Sequence, residues 1–184
     1  MRTLYKGTDT IPLKHAALEH LERRSDRAVQ GAPVSQKMED DGYKNRTSII
    51  GNKVEVSGRI TRYFEAARAQ ANNSVYGKLR HGAVLVKGGS ILNAGYNKDD
   101  YTSYANRYRP PDCGPATRHA EAECLLGISK SQTSRSDIFV CRINNDGEFR
   151  LSKPCLMCHV LIKNAGIKRV FYTTNHSGIE MYKL

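Results

Sequence analysis

Two short stretches of the 184-residue chain, His119-Ala120-Glu121 and Pro154-Cys155-Leu156-Met157-Cys158, form the pattern H-x-E followed by P-C-x-x-C. One imidazole and two thiolates make up the ligand set of a catalytic zinc site, in which three protein ligands leave a fourth position for water. The glutamate then stays free to carry protons, because a carboxylate can act first as a base and then as an acid. The pattern therefore predicts a catalytic zinc site built from both stretches.

The spacing within each stretch predicts where it lies on a helix. Cys155 and Cys158 are three positions apart, so in the first turn of a helix both sulfurs lie on one face, near the positive end of the helix dipole. His119 and Glu121 are two positions apart, and in mid-helix they would point away from each other. Both can reach one site only from a helix N-terminus. We therefore expect two helix starts to face one metal ion.

Three other interpretations of these residues stay open. The C-x-x-C pair is also found in thioredoxin-type redox sites, although these require neither the preceding proline nor a distant H-x-E. Cys113 could complete a structural site as a fourth ligand, which would exclude catalysis. His119 could be a core histidine with no ligand role. The ordered combination, with 32 residues between Glu121 and Pro154, favours the catalytic site.

Periodicity and turn residues around these motifs predict an α/β order of elements. Helices are expected at residues 60–76 and 119–126, and from Pro154 to residue 164. Strands are expected at residues 83–86, 91–95, 137–143 and 167–173, with a return strand at 148–151 after the turn Asn145-Asp146-Gly147. Residues 1–60 show one short apolar stripe and a long polar loop. We interpret them as an N-terminal extension, partly helical or disordered.

Composition limits the classes of protein to consider. The formal net charge is +11, of which residues 61–184 carry 18 Lys/Arg against 10 Asp/Glu, and this excess attracts phosphate groups. Five cysteines with one close pair do not suggest a disulfide framework. The sequence shows neither an apolar run of about 18 residues nor a signal peptide, so we expect a cytoplasmic or nuclear protein without a membrane segment.

The loop of residues 98–118 leaves two interpretations open. Tyr101, Tyr104 and Tyr108 alternate there with Lys98, Arg107 and Arg109. Such a series suits the stacking of bases and contact with phosphates. The same residues also suit an ordered loop whose tyrosines pack against the protein.

With these motifs in place, residues 61–184 resemble the zinc-dependent cytidine and deoxycytidylate deaminase superfamily. The histidine in H-x-E matches the branch that also holds tRNA adenosine deaminases and APOBEC-like polynucleotide cytidine deaminases. The resemblance implies a three-layer α/β fold, with a mixed central sheet flanked by helices. It implies that His119, Cys155 and Cys158 bind Zn²⁺, that Glu121 shuttles protons, and that Asn97 and the backbone of Ala120 bind substrate.

The function implied is hydrolytic deamination of cytosine to uracil in a phosphorylated substrate. The basic charge and the tyrosine-rich loop favour single-stranded nucleic acid, with deoxycytidylate (dCMP) or free cytidine as the alternative. A tRNA adenosine deaminase is a further alternative, which the long gap between the motifs disfavours. A non-enzymatic nucleic-acid-binding module is another, and it would have no use for Glu121. Because relatives often assemble, the resemblance also implies homo-oligomerisation.

Overall fold

A computed structural model of the chain describes residues 51–77, 79–111, 117–175 and 178–184. The prediction for residues 1–50 lies outside this range. The described residues form strands and helices in the following order: β1 (Asn52–Lys53), α1 (Gly58–Ala71), β2 (Arg80–Lys87), β3 (Ser90–Tyr96), α2 (Ser103–Asn106), α3 (Ala120–Leu125), α4 (Lys130–Thr133), β4 (Asp137–Ile143), β5 (Phe149–Arg150), α5 (Leu156–Asn164), β6 (Arg169–Thr173) and β7 (Ile179–Lys183).

The strands of the described residues form one mixed sheet. Its order is β1-β7-β6-β4-β2-β3, and β5 pairs with the end of β4. β4 and β6 are parallel and are joined through α5, whereas the remaining pairs are antiparallel. A parallel pair requires a long crossover, and the helix after Pro154 supplies it. The predicted mixed sheet is confirmed.

One face of the sheet is covered by α1. The helix buries Tyr63, Phe64, Ala67 and Ala71, of which Tyr63, Ala67 and Ala71 recur at four-residue steps along one face. The aromatic rings pack against Phe139 of β4, with the centroid of Tyr63 at 4.8 Å and that of Phe64 at 5.5 Å.

α1 lies close to the sheet because Gly82 of β2 has no side chain. A Cβ at position 82 would lie 1.9 Å from the carbonyl oxygen of Ala67. The predicted helix over residues 60–76 ends earlier, at Ala71. Asn72, Asn73 and Ser74 follow, and such side chains compete with helical hydrogen bonds.

The opposite face of the sheet is covered by α3 and α5. Alternate residues of the central strands, including Ala83, Leu85, Ile138 and Val140, point to this side and pack with Leu125 and Leu161 of the two helices. Helices therefore lie on both faces of one sheet. The predicted three-layer α/β fold is confirmed.

Four elements, β1, α2, α4 and β7, were not predicted from the sequence. β1 is polar and exposed, and it is a strand because Asn52 pairs with Met181 of β7. α2 is a single turn capped by Thr102, and α4 begins with a capping box between Ser129 and Gln132. Among the residues that the structure describes, no helix is long and apolar enough to cross a membrane.

Candidate metal centre

His119 and Cys155 occupy equivalent positions on two helices. Each is the N-cap residue, His119 of α3 and Cys155 of α5, and neither side chain caps its own helix. Cys158 lies in the first turn of α5, where it is buried. The side chains of all three are thus free to point at one another from two helix starts. This confirms the placement that the spacing predicted.

The distances among these side chains fit a zinc ion. The His119 Nδ1 atom lies 3.5 Å from the sulfur of Cys155 and 3.4 Å from that of Cys158. The three potential ligand atoms lie within 4.8 Å of one another. A tetrahedral zinc with bonds of about 2.3 Å to sulfur and 2.0–2.1 Å to nitrogen requires a separation of about 3.6 Å between such atoms. His119 is therefore not an isolated core histidine, and the three residues fit the ligand set of zinc.

Electrostatics within this group also favour a cation. A hydrogen bond from the Cys158 thiol, helped by one from His119, lowers the pKa of Cys155 to about 4. The same bond and burial raise the pKa of Cys158, and a hydrogen bond to Cys155 raises that of His119. Cys155 is therefore a thiolate at neutral pH, and thiolates are the sulfur species that bind zinc. Zinc binding would displace the remaining protons from Cys158 and His119.

Glu121 lies beside this group in the first turn of α3. It is 5% exposed, and burial raises the pKa of its carboxyl group. A hydrogen bond links it to the Cys158 thiol. A buried carboxyl group whose pKa is raised holds a proton more readily than an exposed one, which suits a group that must both accept and donate a proton. Its role as proton shuttle stays a prediction.

The two predicted substrate-binding positions lie after β3 and at the start of α3. Asn97 follows β3, and its Oδ1 accepts a hydrogen bond from the His81 N–H at 2.8 Å while its Nδ2 donates to the Leu79 carbonyl at 2.9 Å. Asn97 therefore also fixes the start of β2. Ala120 is buried at the first position of α3, where a backbone N–H has no acceptor within the helix. Substrate binding by both residues stays a prediction.

A buried hydroxyl pair that the sequence analysis missed holds the segment before Cys155. Ser152 Oγ donates to the Val140 carbonyl at 2.8 Å, lies 2.9 Å from Thr173 Oγ1 and accepts from the Thr173 N–H at 2.9 Å. Ser152 is 3% exposed and Thr173 fully buried. The pair ties the approach to Pro154 to the middle of β4 and to the end of β6. No local pattern in the sequence marks it, since its partners are distant along the chain.

The loop of residues 98–118 is described except for residues 112–116, so Cys113 lies outside the described residues. Tyr104 and Tyr108 pack against the core cluster on the side of α3 and α5, and Arg107 lies over both rings, 5.4 and 5.5 Å from their centroids. Tyr101 is 63% exposed. The packing interpretation is therefore correct for Tyr104 and Tyr108, and Tyr101 is the described tyrosine of this loop that is free to stack.

Comparisons with known proteins agree with this site. The family model described as the cytidine and deoxycytidylate deaminase zinc-binding region matches residues 58–174, which is more than half of the chain and includes both motifs. A deoxycytidylate deaminase of Schizosaccharomyces pombe is 29% identical over an alignment of 127 residues, and the match covers 62% of this chain. The match spans 37% of the length of that relative.

Solved structures of a dCMP deaminase from the cyanophage S-TIM5 are also similar. The apo form is 27% identical with a TM-score of 0.47, covering 65% of this chain and 86% of the other. The form in complex with dCMP and dUMP is 28% identical with a TM-score of 0.46, covering 65% and 85%. From the match of the family model over residues 58–174, the chain belongs to the family that carries the cytidine and deoxycytidylate deaminase zinc-binding region.

Proposed function

We propose that the chain is an enzyme that deaminates cytosine to uracil hydrolytically, with Zn²⁺ as its cofactor and a pyrimidine nucleotide as its substrate. The observation that carries this proposal is the convergence of His119 Nδ1 with the sulfurs of Cys155 and Cys158, at 3.5 and 3.4 Å. A buried carboxyl group lies beside them. A purely structural zinc site would not need Glu121.

The chain's residues account for the proton transfers of this reaction. When bound, zinc supplies the acidity that makes a water molecule nucleophilic near neutral pH. Glu121 would accept the proton that this water loses as its oxygen bonds to C4 of cytosine. The same carboxyl group would deliver this proton to N3, then take the second proton from the new C4 hydroxyl and pass it to the exocyclic amine. The C4–N bond then breaks and ammonia leaves, so that cytosine and water become uracil and ammonia.

The zinc centre depends on a favourable ligand geometry at two helix N-termini. His119, Cys155 and Cys158 would hold the ion, because their donor atoms already have the separations that zinc requires. Three protein ligands leave one position for water, as in other catalytic zinc sites. Cys113 as a fourth ligand would abolish that position, and replacing Cys113 by Ser tests this alternative through the zinc content.

A mononucleotide such as dCMP is the substrate that we favour. The similar proteins of S. pombe and of the cyanophage are named as deoxycytidylate or dCMP deaminases. The net charge of +11 suits a phosphorylated substrate. Single-stranded nucleic acid is the second candidate, favoured by the exposed ring of Tyr101. The packing of Tyr104 and Tyr108 reduces the aromatic surface that the loop offers to a polymer.

The experiment that tests this proposal measures ammonia release from dCMP, cytidine, single-stranded DNA, single-stranded RNA and tRNA, together with the zinc content of the protein. We expect release from dCMP, and its loss in Glu121→Gln with zinc retained. Glu148→Gln, which changes an exposed carboxylate whose hydrogen bonds go to Asn144 and Arg150, is the matched control. Ammonia release from none of the substrates, or equal activity in Glu121→Gln, would exclude the proposed activity. Release of ammonia from single-stranded DNA or RNA but not from dCMP would show that the substrate is single-stranded nucleic acid instead of a mononucleotide.

A homo-oligomer, which the resemblance implies, stays a proposal. Sedimentation equilibrium of the same preparations tests it, and a monomer at assay concentrations would refute it.

A further inference from the structure

Four charged side chains form a cluster between the loop of residues 98–118 and helix α3. Glu123 accepts a hydrogen bond from Lys98 Nζ at 2.6 Å through Oε1, and one from Arg118 Nη1 at 2.6 Å through Oε2. Arg118 Nη2 also donates to Asp100 at 2.8 Å. The side chains of Glu123 and Arg118 are each 18% exposed and that of Lys98 is 29% exposed. We call Lys98, Asp100, Arg118 and Glu123 the clamp.

The clamp lies where the loop begins and ends. Lys98 and Arg118 form a two-residue antiparallel bridge, in which the Lys98 N–H donates to the Arg118 carbonyl at 2.9 Å and the Arg118 N–H returns to the Lys98 carbonyl at 3.2 Å. Glu123 therefore holds both ends of one loop with its two carboxylate oxygens. Both contacts are charge-assisted hydrogen bonds, which are shorter and stronger than those between neutral groups.

Glu123 is itself held rigidly. It lies on α3, one turn after His119, so the helix that presents the zinc ligand also presents the clamp. Its side-chain stem packs over Gly95 of β3, where a Cβ would come 2.8 Å from Glu123 Cγ and 2.6 Å from the Cys124 nitrogen. Glycine at position 95 thus lets the helix approach the strand. Hydrogen bonds from Lys98 and Arg118, although opposed by burial, lower the pKa of Glu123, so its charge persists at neutral pH.

The loop reaches from the clamp to the metal centre. Ala105 of α2 is buried in the core cluster that contains Met157 and Cys158, and Tyr104 and Tyr108 pack against the same cluster. The positive charge of Arg109 lowers the pKa of His119, against the larger raising effect of the hydrogen bond that His119 donates to Cys155. The clamp thus fixes the ends of a loop whose middle borders the zinc ligands.

We propose that Glu123 is a positioning residue that holds this loop in place for substrate binding, so that the clamp sets the affinity for substrate and leaves the zinc chemistry unchanged. This inference rests on the proposed function, because it assigns the loop to the substrate of that same site. The Glu123 carboxylate hydrogen-bonds to Lys98 and Arg118, whereas its backbone N–H donates to the His119 carbonyl at 3.0 Å at the start of α3. Its effect passes through Lys98 and Arg118 to the residues between them.

The test compares Glu123→Gln with Asp137→Asn. Asp137, at the start of β4, has a side chain that is 16% exposed and forms an ion pair with Arg169, whose side chain is 41% exposed. For Glu123→Gln we expect KM for dCMP to rise roughly tenfold and kcat to change by less than about twofold. The expected rise in KM is modest because partly exposed ion pairs contribute only a small free energy to holding a loop. Zinc content should equal that of the wild type. Asp137→Asn should leave KM and kcat unchanged.

Hydrogen–deuterium exchange provides a readout that does not depend on activity. We expect faster exchange of the amides of residues 99–111 in Glu123→Gln and no change there in Asp137→Asn. Lys98→Met, which removes one of the two contacts to Glu123, should produce a smaller rise in both KM and exchange; it also serves if Glu123→Gln does not fold.

Unchanged KM and unchanged exchange in Glu123→Gln would overturn the inference. So would loss of zinc in a folded Glu123→Gln variant, because the clamp would then support the metal centre instead of the loop. If the wild-type protein deaminates no substrate, the proposed function fails, and the exchange measurement then decides by itself whether Glu123 holds the loop.

Discussion

Replacing Ser152 by alanine tests how the fold delivers Cys155 to the metal centre. The Ser152 hydroxyl donates to the Val140 carbonyl and accepts from the Thr173 N–H, and both Ser152 and Thr173 are buried. Alanine removes the hydroxyl and leaves that N–H without its acceptor in a region that water does not reach. Ser152 also lies two residues before Pro154, the proline that opens the proposed zinc-binding segment.

The expected size of the effect follows from these contacts. A buried N–H left without a partner costs about 1–3 kcal/mol, and the lost hydrogen bond to Val140 contributes about 1 kcal/mol. We therefore expect Ser152→Ala to lower the free energy of unfolding by about 2–4 kcal/mol. Because the segment carries Cys155, zinc affinity should also fall by about tenfold, as for other changes in the residues that support metal ligands.

Urea unfolding of the zinc-free protein measures the first effect, and competition with a chromophoric chelator measures the second. Ser90→Ala, at an exposed serine of β3, is the control and should change neither quantity. A loss below about 0.5 kcal/mol in Ser152→Ala would refute the argument, since this is the range of surface substitutions without a structural role.

Three further predictions concern other parts of the molecule. Cys155→Ser should lose zinc during dialysis against a chelator that leaves the wild type loaded, as measured by atomic absorption; retention of zinc would show that Cys155 is not a ligand. Phe139→Ala should lower the unfolding free energy by about 3–5 kcal/mol, because Phe139 stacks on Phe171 at 4.5 Å and contacts two rings of α1; a loss below about 1 kcal/mol in urea would contradict this packing. Burial lowers the pKa of His81 from 6.5 to about 4. Between these pH values the unfolded chain is therefore protonated at His81 while the folded chain is not. Stability of the zinc-free protein should therefore fall as the pH drops from 6.5 to 4, and His81→Gln should remove part of that slope; an identical slope in both proteins would count against the shift.

The convergence of His119, Cys155 and Cys158 and the layered fold could be predicted from the sequence, because local spacing and periodicity indicate them. Ligands at His119 and Cys155 are compatible with one site only if each begins a helix, and both do. The strand over residues 137–143 was predicted with the bounds Asp137–Ile143 that the structure shows. Its continuous apolar run is typical of a strand buried on both faces.

The clamp and the buried hydroxyl pair of Ser152 and Thr173 could not be predicted, because they join residues that are far apart along the chain. Lys98 and Glu123 are separated by 25 residues, and Ser152 and Thr173 by 21. Such pairs become visible only when the register of the sheet brings them together. By contrast, the capping box at Ser129 and Gln132 is a local signal that the sequence analysis overlooked.

The loop of residues 98–118 shows why the sequence could not decide between a polymeric and a mononucleotide substrate. Alternating tyrosines and cations are compatible with base stacking and with packing, because both bury an aromatic face. The structure separates the residues: Tyr104 and Tyr108 pack, and Tyr101 is exposed. Composition alone carries no information on which face of a ring is already covered.

The zinc K-edge X-ray absorption spectrum of the zinc-loaded protein tests the central claim most directly, since it counts the sulfur ligands. Ligation by His119, Cys155 and Cys158 with water predicts two sulfur atoms at about 2.3 Å and two nitrogen or oxygen atoms at about 2.0–2.1 Å. Three or more sulfur atoms would contradict the open catalytic site, because Cys113 or another thiolate would then occupy the position that water requires.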